Sequence, residues 1–254
     1  MLVDRMRLAK AIARELRQRE RSNLVAVGVF GSVARGEDRT FSDLDLLVVT
    51  RRRRRGIRHE IRDGVLVTVH QVTPAEARRE VTEGPWLNGP LSGWRGTRAL
   101  YDPARLIARL RGIARRPSRE AFRESARRDL IETLEEYGKV KNAIASGDLE
   151  EARSMVVWFT ECAAGALLDI AAHVPRVYGR YFLEACQLGK VGHDMWGLRF
   201  DARTIGEIDR LSEVVWAGLL KRAGASGIRL PGLDRWPGGT RFTQSARGGP
   251  SRGP

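Results

Sequence analysis

Asp43 and Asp45 stand two positions apart at the head of an apolar run, residues 44–49. In an extended chain alternate side chains share a face, so the two carboxylates point the same way, roughly 7 Å apart along the strand. Carboxylates so paired can hold a hard divalent cation such as Mg²⁺. Just upstream another apolar run, residues 24–30, breaks at Gly31-Ser32, and Val33-Ala34-Arg35-Gly36 follow. A glycine there lets backbone come close to a bulky anion. A serine hydroxyl can donate to phosphate oxygens, and Arg35 can neutralise their charge. The block as a whole suits a polyphosphate and its metal. The plainer reading of the same residues is a turn with surface acids at a strand start.

Elements on either side must hold these residues in place. Leu8, Ile12 and Leu16 recur at helical spacing and predict an amphipathic helix over residues 3–20. It mixes charged and apolar residues, which reads as folded helix and not as a signal peptide. Residues 24–30 and 44–49 are strands. Residues 57–62 and 65–72 form a hairpin across Asp63-Gly64, a favoured two-residue turn. Thr73-Pro74 opens a further helix, with Glu76 in its first turn. Residues 84–98, rich in Gly, Pro and Trp, read as an irregular crossing, and 97–101 as a short strand. Asp102-Pro103 starts a helix running to about residue 113, and Arg116-Pro117 marks a domain boundary.

Beyond it the pattern is helical, with helices expected over 118–145, 148–173, 175–187 and 203–223. The fold class is therefore α+β: a small mixed sheet in residues 1–115 and an all-α bundle in 116–225. The Gly-, Pro- and Arg-rich residues 226–254 read as a loose tail. Trp158, Phe159, Trp196 and Trp216 fall in the helical part and read as core or interface packing.

Composition narrows the function classes. The 254 residues carry a formal charge of +14, mostly from arginine. That balance attracts polyanions, yet no zinc-finger spacing, aromatic-laced basic strand or GXXG loop accompanies it. Nucleic acid is therefore not the favoured partner. No apolar run approaches a membrane span. Cys162 and Cys186 sit in apolar helical contexts and read as buried, reduced thiols, from which a cytoplasmic location is expected.

Residues 28–49 resemble the signature of the polymerase-β-type nucleotidyltransferases, most of all the group around kanamycin nucleotidyltransferase. The resemblance extends more weakly from residue 5 to 223. It implies a Mg²⁺-dependent nucleotidyltransferase fold in which Gly31, Ser32 and Arg35 hold a nucleoside triphosphate, ATP by preference. Ser42 maps to the serine before the first acid, and Asp43 and Asp45 map to the metal ligands. In the helical part the family carries a Glu and a Lys four residues apart, which map to Glu135 and Lys139. Glu135 would then be the general base and Lys139 a nucleotide-phosphate contact. Four residues make about one helical turn, so the two share a face; an ordinary surface ion pair has the same spacing. The resemblance further implies a homodimer and a small-molecule acceptor bearing a hydroxyl. Two alternatives stay open: modification of a protein or RNA by an antitoxin-like relative, and a degenerate nucleotide binder.

The pattern departs from the family at one place. A third carboxylate is usual on the returning strand, and Thr68 stands there instead, with His70 two residues further on the same face. Arg51–Arg55 read as a solvated loop beyond the far end of the strand, with an acidic partner or RNA as the second reading. Glu60, on the hairpin, lies near where the family contacts acceptors.

Overall fold

The computed structural model describes residues 3–52, 56–233 and 236. Two compact units are present, one of residues 1–83 with 89–118, the other of residues 84–88 with 119–254.

The first unit is a five-stranded sheet with helices. Its strands are β1 (Leu24–Phe30), β2 (Leu44–Thr50), β3 (Ile57–Arg62), β4 (Val65–Val72) and β5 (Arg98–Tyr101). They lie in the order β3-β4-β2-β1-β5. β2 runs parallel to β4, while the β1–β2, β1–β5 and β3–β4 pairs are antiparallel, so the sheet is mixed. The hairpin turn is as expected, with positive φ at Asp63 (51°) and Gly64 (72°). Helix α1 (Arg5–Glu20) starts at Asp4, whose side chain accepts from the Arg7 amide. Its Leu8, Ile12 and Leu16 join Val27, Val29, Leu44, Leu46, Val48, Val67 and Val69 in one apolar core. Asp45 and Thr68 are out of phase with those residues, so the pleat turns them to the other face.

α2 (Gly31–Arg35) is a single turn, and α3 (Pro74–Thr82) opens with a full capping box between Thr73 and Glu76. The expected irregular crossing contains a helix, α4 (Asn88–Gly96). Its Leu91 and Trp94 are buried, and that burial overrides three glycines and a proline with poor helix propensity. α5 (Leu106–Arg115) is preceded by Asp102, whose carboxylate accepts from the Leu106 amide at 2.7 Å.

The second unit is helical: α6 (Arg119–Ser146), α7 (Leu149–Ile170), α8 (Tyr181–Cys186), α9 (Lys190–Trp196) and α10 (Ile205–Ala225). Tyr137 of α6 stacks on Trp216 of α10 at 5.7 Å and meets Phe159 of α7 at 5.6 Å, and all three side chains are buried. The expected helix over 175–187 is reduced to the six residues of α8 after a 3₁₀ turn at Tyr178–Arg180. Trp158 is 61% exposed, unlike its neighbour Phe159, so it is not a core residue.

The segment Gly84–Asn88 packs with this unit and not with the sheet that precedes and follows it. The Trp86 amide donates to Asp129 at 2.9 Å, the Leu87 amide to Ser125 at 3.0 Å, and Asn88 Nδ2 to Asp169 at 2.7 Å. Part of the stretch expected as a loose tail is packed. Ile228 and Leu233 are buried in the helical core, and the Trp236 ring lies 5.7 Å from Tyr137. Residues 237–254 of the expected tail lie outside the described residues, as do 53–55 of the arginine run. Of that run, the Arg51 amide donates to Asn23 O at 2.8 Å and Arg51 Nε to Ser22 O at 3.0 Å.

Candidate active site

The sheet delivers Asp45 by its ladder. Asp45 pairs with Phe30 of β1 on one side and with Thr68 of β4 on the other. Phe30 ends β1, so the next residue, Gly31, turns directly above Asp45. Gly31 has φ of +70°, a region where only glycine is unstrained. A Cβ on Gly31 would meet the Asp45 carboxylate well inside van der Waals contact. Glycine is thus required twice, by the backbone angle and by the acid beneath it.

Asp43 lies just before β2, at the end of the loop from Gly36. Its charge acts on Asp45. Burial first, and then Asp43, pushes the Asp45 carboxyl up to about 6, while Arg35 opposes the shift. No hydrogen bond or ion pair from the described residues satisfies either carboxylate. Two such acids, one of them partly desolvated, make a place where a hard cation relieves repulsion and desolvation together. The residues therefore fit a divalent cation as part of a coordination shell, the rest of which would come from bound phosphate and water. Among the described residues no group of three His, Cys, Asp or Glu is close enough to hold a metal unaided.

The remaining candidates fall around these acids. Ser32 lies in α2, where its carbonyl accepts from the Glu37 amide at 3.0 Å. Arg35, at the end of that turn, is ion-paired with Glu37 at 2.7 Å, so an arriving phosphate must compete with that carboxylate. Ser42 Oγ accepts from the Arg39 amide at 2.8 Å, which commits the hydroxyl to closing the loop before Asp43. Thr68 stands beside Asp45 in register, and its Oγ1 lies 3.1 Å from His59 Nδ1. His70 is drawn away from the acids to Glu80, 3.2 Å from its Nε2. Glu60 is ion-paired with Arg62 at 3.1 Å.

Glu135 and Lys139 belong to the helical unit. Lys139 Nζ is 2.9 Å from Glu135 and 2.6 Å from Glu136. Hydrogen bonds to Glu136 and then Glu135 hold the ammonium above its ordinary value. Glu135 is 70% exposed, whereas Glu136 is largely covered.

Residues 9–87 match the nucleotidyltransferase domain family. The match is to a nucleotidyltransferase domain and covers that stretch alone. It runs from within α1 to just beyond α3, and so contains Gly31, Ser32, Arg35, Ser42, Asp43, Asp45 and Thr68. Among solved structures, a nucleotidyltransferase-like protein from Exiguobacterium sibiricum 255-15 is similar over 86% of this chain and 76% of its own. The TM-score is 0.59 at 15% identity, a likeness of fold. No curated protein matches the chain. The nucleotidyltransferase domain and the α+β fold together support a nucleotidyl transfer function.

Three residues around the nucleotidyltransferase motif were not anticipated from sequence. His59 could have been found: a two-residue turn at Asp63-Gly64 fixes the hairpin register and puts His59 opposite Thr68. Arg98, which donates to Ala34 O at 3.3 Å, and Arg5, which reaches the Asp43 loop, are remote in sequence and carry no local signal.

Thiol chemistry is not part of the site. Cys162 and Cys186 are free and half-buried, and burial is the first cause that pushes them up to about 12 and about 11. Both therefore stay as poorly reactive thiols.

Proposed function

We propose that the protein is a Mg²⁺-dependent nucleotidyltransferase. It would move a nucleoside monophosphate from a nucleoside triphosphate, ATP first among them, to a hydroxyl of a small-molecule acceptor. The observation that carries this reading is the unsatisfied pair Asp43 and Asp45, with Asp45 directly beneath Gly31, where only a hydrogen atom fits. When bound, Mg²⁺ would polarise the α-phosphate and offset charge on the departing pyrophosphate. Asp43 and Asp45 would hold it. Gly31 leaves room for the triphosphate, Ser32 donates to it, and Arg35 exchanges Glu37 for a phosphate oxygen. The acceptor oxygen forms a bond to the α-phosphorus as the α–β bridging bond breaks and pyrophosphate leaves. The resemblance gives the acceptor's proton to Glu135 and a phosphate contact to Lys139. A cytoplasmic homodimer belongs to the same proposal, and its mass in solution tests the dimer.

A second reading has one observation in its favour: Thr68 stands where a third carboxylate is usual. A nucleotide binder without transfer would show the same two acids. Incubation of the protein with labelled ATP, Mg²⁺ and cell extract separates the two, with mass spectrometry used to seek any product heavier by one nucleotide. Transfer predicts such a product, matched by pyrophosphate and lost in Asp43→Asn. Tight ATP–Mg²⁺ binding with no product across a broad acceptor panel would favour the binder. A labelled RNA or protein would replace the small acceptor by a macromolecule.

A further inference from the structure

The two acids are not held in the same way. Asp45 is inside β2 and is pinned on both sides by its strand neighbours Phe30 and Thr68. Asp43 precedes the first residue of β2, so no strand pairing fixes it. What fixes its backbone is the loop before it, and that loop is tied to α1 by one side chain. Arg5, only 6% exposed, donates from Nε to Ser42 O at 2.8 Å and from Nη2 to Thr40 O at 2.6 Å. Its Nη1 lies 3.4 Å from Asp38 Oδ2. The Ser42 carbonyl belongs to the peptide plane that leads into Asp43. Holding that oxygen therefore sets the direction in which Asp43 leaves the loop. The turn between Arg39 and Ser42 stiffens the same four residues, through the Ser42 amide on Arg39 O at 3.0 Å and Ser42 Oγ on the Arg39 amide.

We propose that Arg5 is a positioning residue for nucleotidyl transfer, whose guanidinium fork fixes the Ser42–Asp43 peptide and thereby places the first metal-holding carboxylate. It rests on the metal-ligand reading of Asp43. Arg5 lies outside residues 9–87, which match the family. A buried guanidinium suits the task because its donors lie in one rigid plane and meet two carbonyls and a carboxylate at once. A lysine keeps the charge but has no such fork.

The test is Mn²⁺ binding in the presence of α,β-methylene-ATP, read from the loss of the free Mn²⁺ electron paramagnetic resonance signal. This needs no acceptor and no turnover. Wild type, Arg5→Lys, Arg5→Gln and Asp43→Asn are compared, with circular dichroism and Tm reporting the folded fraction. Expected is a weakening of Mn²⁺ binding of about tenfold in folded Arg5→Lys, the scale for residues that support a metal's direct ligands. Nucleotide binding without metal should change little. A merely structural role would lower Tm and leave Mn²⁺ affinity per folded molecule unchanged, and that result would overturn the inference. Should Arg5→Gln fail to fold, Arg5→Lys decides alone, since it keeps the buried charge. If wild type and Asp43→Asn bind Mn²⁺ alike, the metal-ligand reading itself has failed and the inference falls with it.

Discussion

Gly31 and Asp45 are packed so closely that a methyl group on the glycine would overlap the aspartate's carboxylate. The chain turns at +70° in φ directly over the acid that the proposed reaction uses to hold a cation. Gly31→Ala is therefore expected to cost about 1–3 kcal/mol in stability, from the positive φ and the clash together. It should also reduce triphosphate turnover by roughly a hundredfold or more, because relief of the clash moves Asp45. Thermal unfolding and pyrophosphate release check the two effects separately. An alanine variant with wild-type turnover would show that the glycine serves the backbone only.

Replacement of either acid should separate stability from function. Asp43→Asn or Asp45→Asn is expected to abolish Mg²⁺-dependent turnover, at least about a hundredfold, with the fold intact. For Asp45→Asn the sign of the stability change follows from the shift to about 6. The native carboxyl binds its proton more tightly than the unfolded one, so the metal-free wild type loses stability as pH rises from about 4 through about 6. Asparagine cannot ionise, so metal-free Asp45→Asn should unfold at a higher temperature than wild type above pH 6. Equal or lower Tm there would contradict the repulsion between Asp43 and Asp45.

Thr68 lies in register with Asp45, where a carboxylate would be close enough to share the cation. Thr68→Asp is expected to tighten Mg²⁺ dependence, read as a lower half-saturating concentration in ATP turnover. His59, 3.1 Å from the threonine hydroxyl, would then face a carboxylate. Loss of triphosphate binding in a folded Thr68→Asp protein would argue against a metal position between β2 and β4.

In the helical unit Asp129 and Asp169 are both buried and hold the segment Gly84–Asn88. Burial is the largest cause raising each, with Asp169 the next for Asp129, which is pushed up to about 9. Burial therefore favours a protonated Asp129 beside Asp169. Glu132, Cys162 and Tyr178 add no positive charge nearby. The native state binds this proton and the unfolded state does not, so the contribution to stability is full below about pH 4. It falls as pH rises toward about 9. Asp129→Asn keeps the donor and cannot ionise. Its Tm should exceed that of wild type by a margin that grows between pH 5 and pH 9, and a constant margin across that range would exclude a protonated Asp129.

The order of elements in the first unit was legible because hydrophobic period and turn chemistry are local. The apolar run 24–30, the alternation in 65–72, the Asp63-Gly64 turn and the Thr73–Glu76 box each act over a few residues and survive in any context. The Asp-x-Asp at the head of β2 was legible as a motif for the same reason, but pleating places only Asp45, since Asp43 lies before the strand. The helix at Asn88–Gly96 was not, because glycine and proline signal a break that only burial of Leu91 and Trp94 reverses. Nor was the attachment of Gly84–Asn88 to Ser125, Asp129 and Asp169, which are about 40 to 80 positions away in the chain. The arginine that holds Asp43 is 37 residues before Ser42, and nothing in its sequence neighbourhood distinguishes it from the other arginines of α1. Sequence set which residues can do the chemistry. Tertiary packing decided which charge is buried against which loop, because burial and long-range hydrogen bonds exist only once distant segments meet.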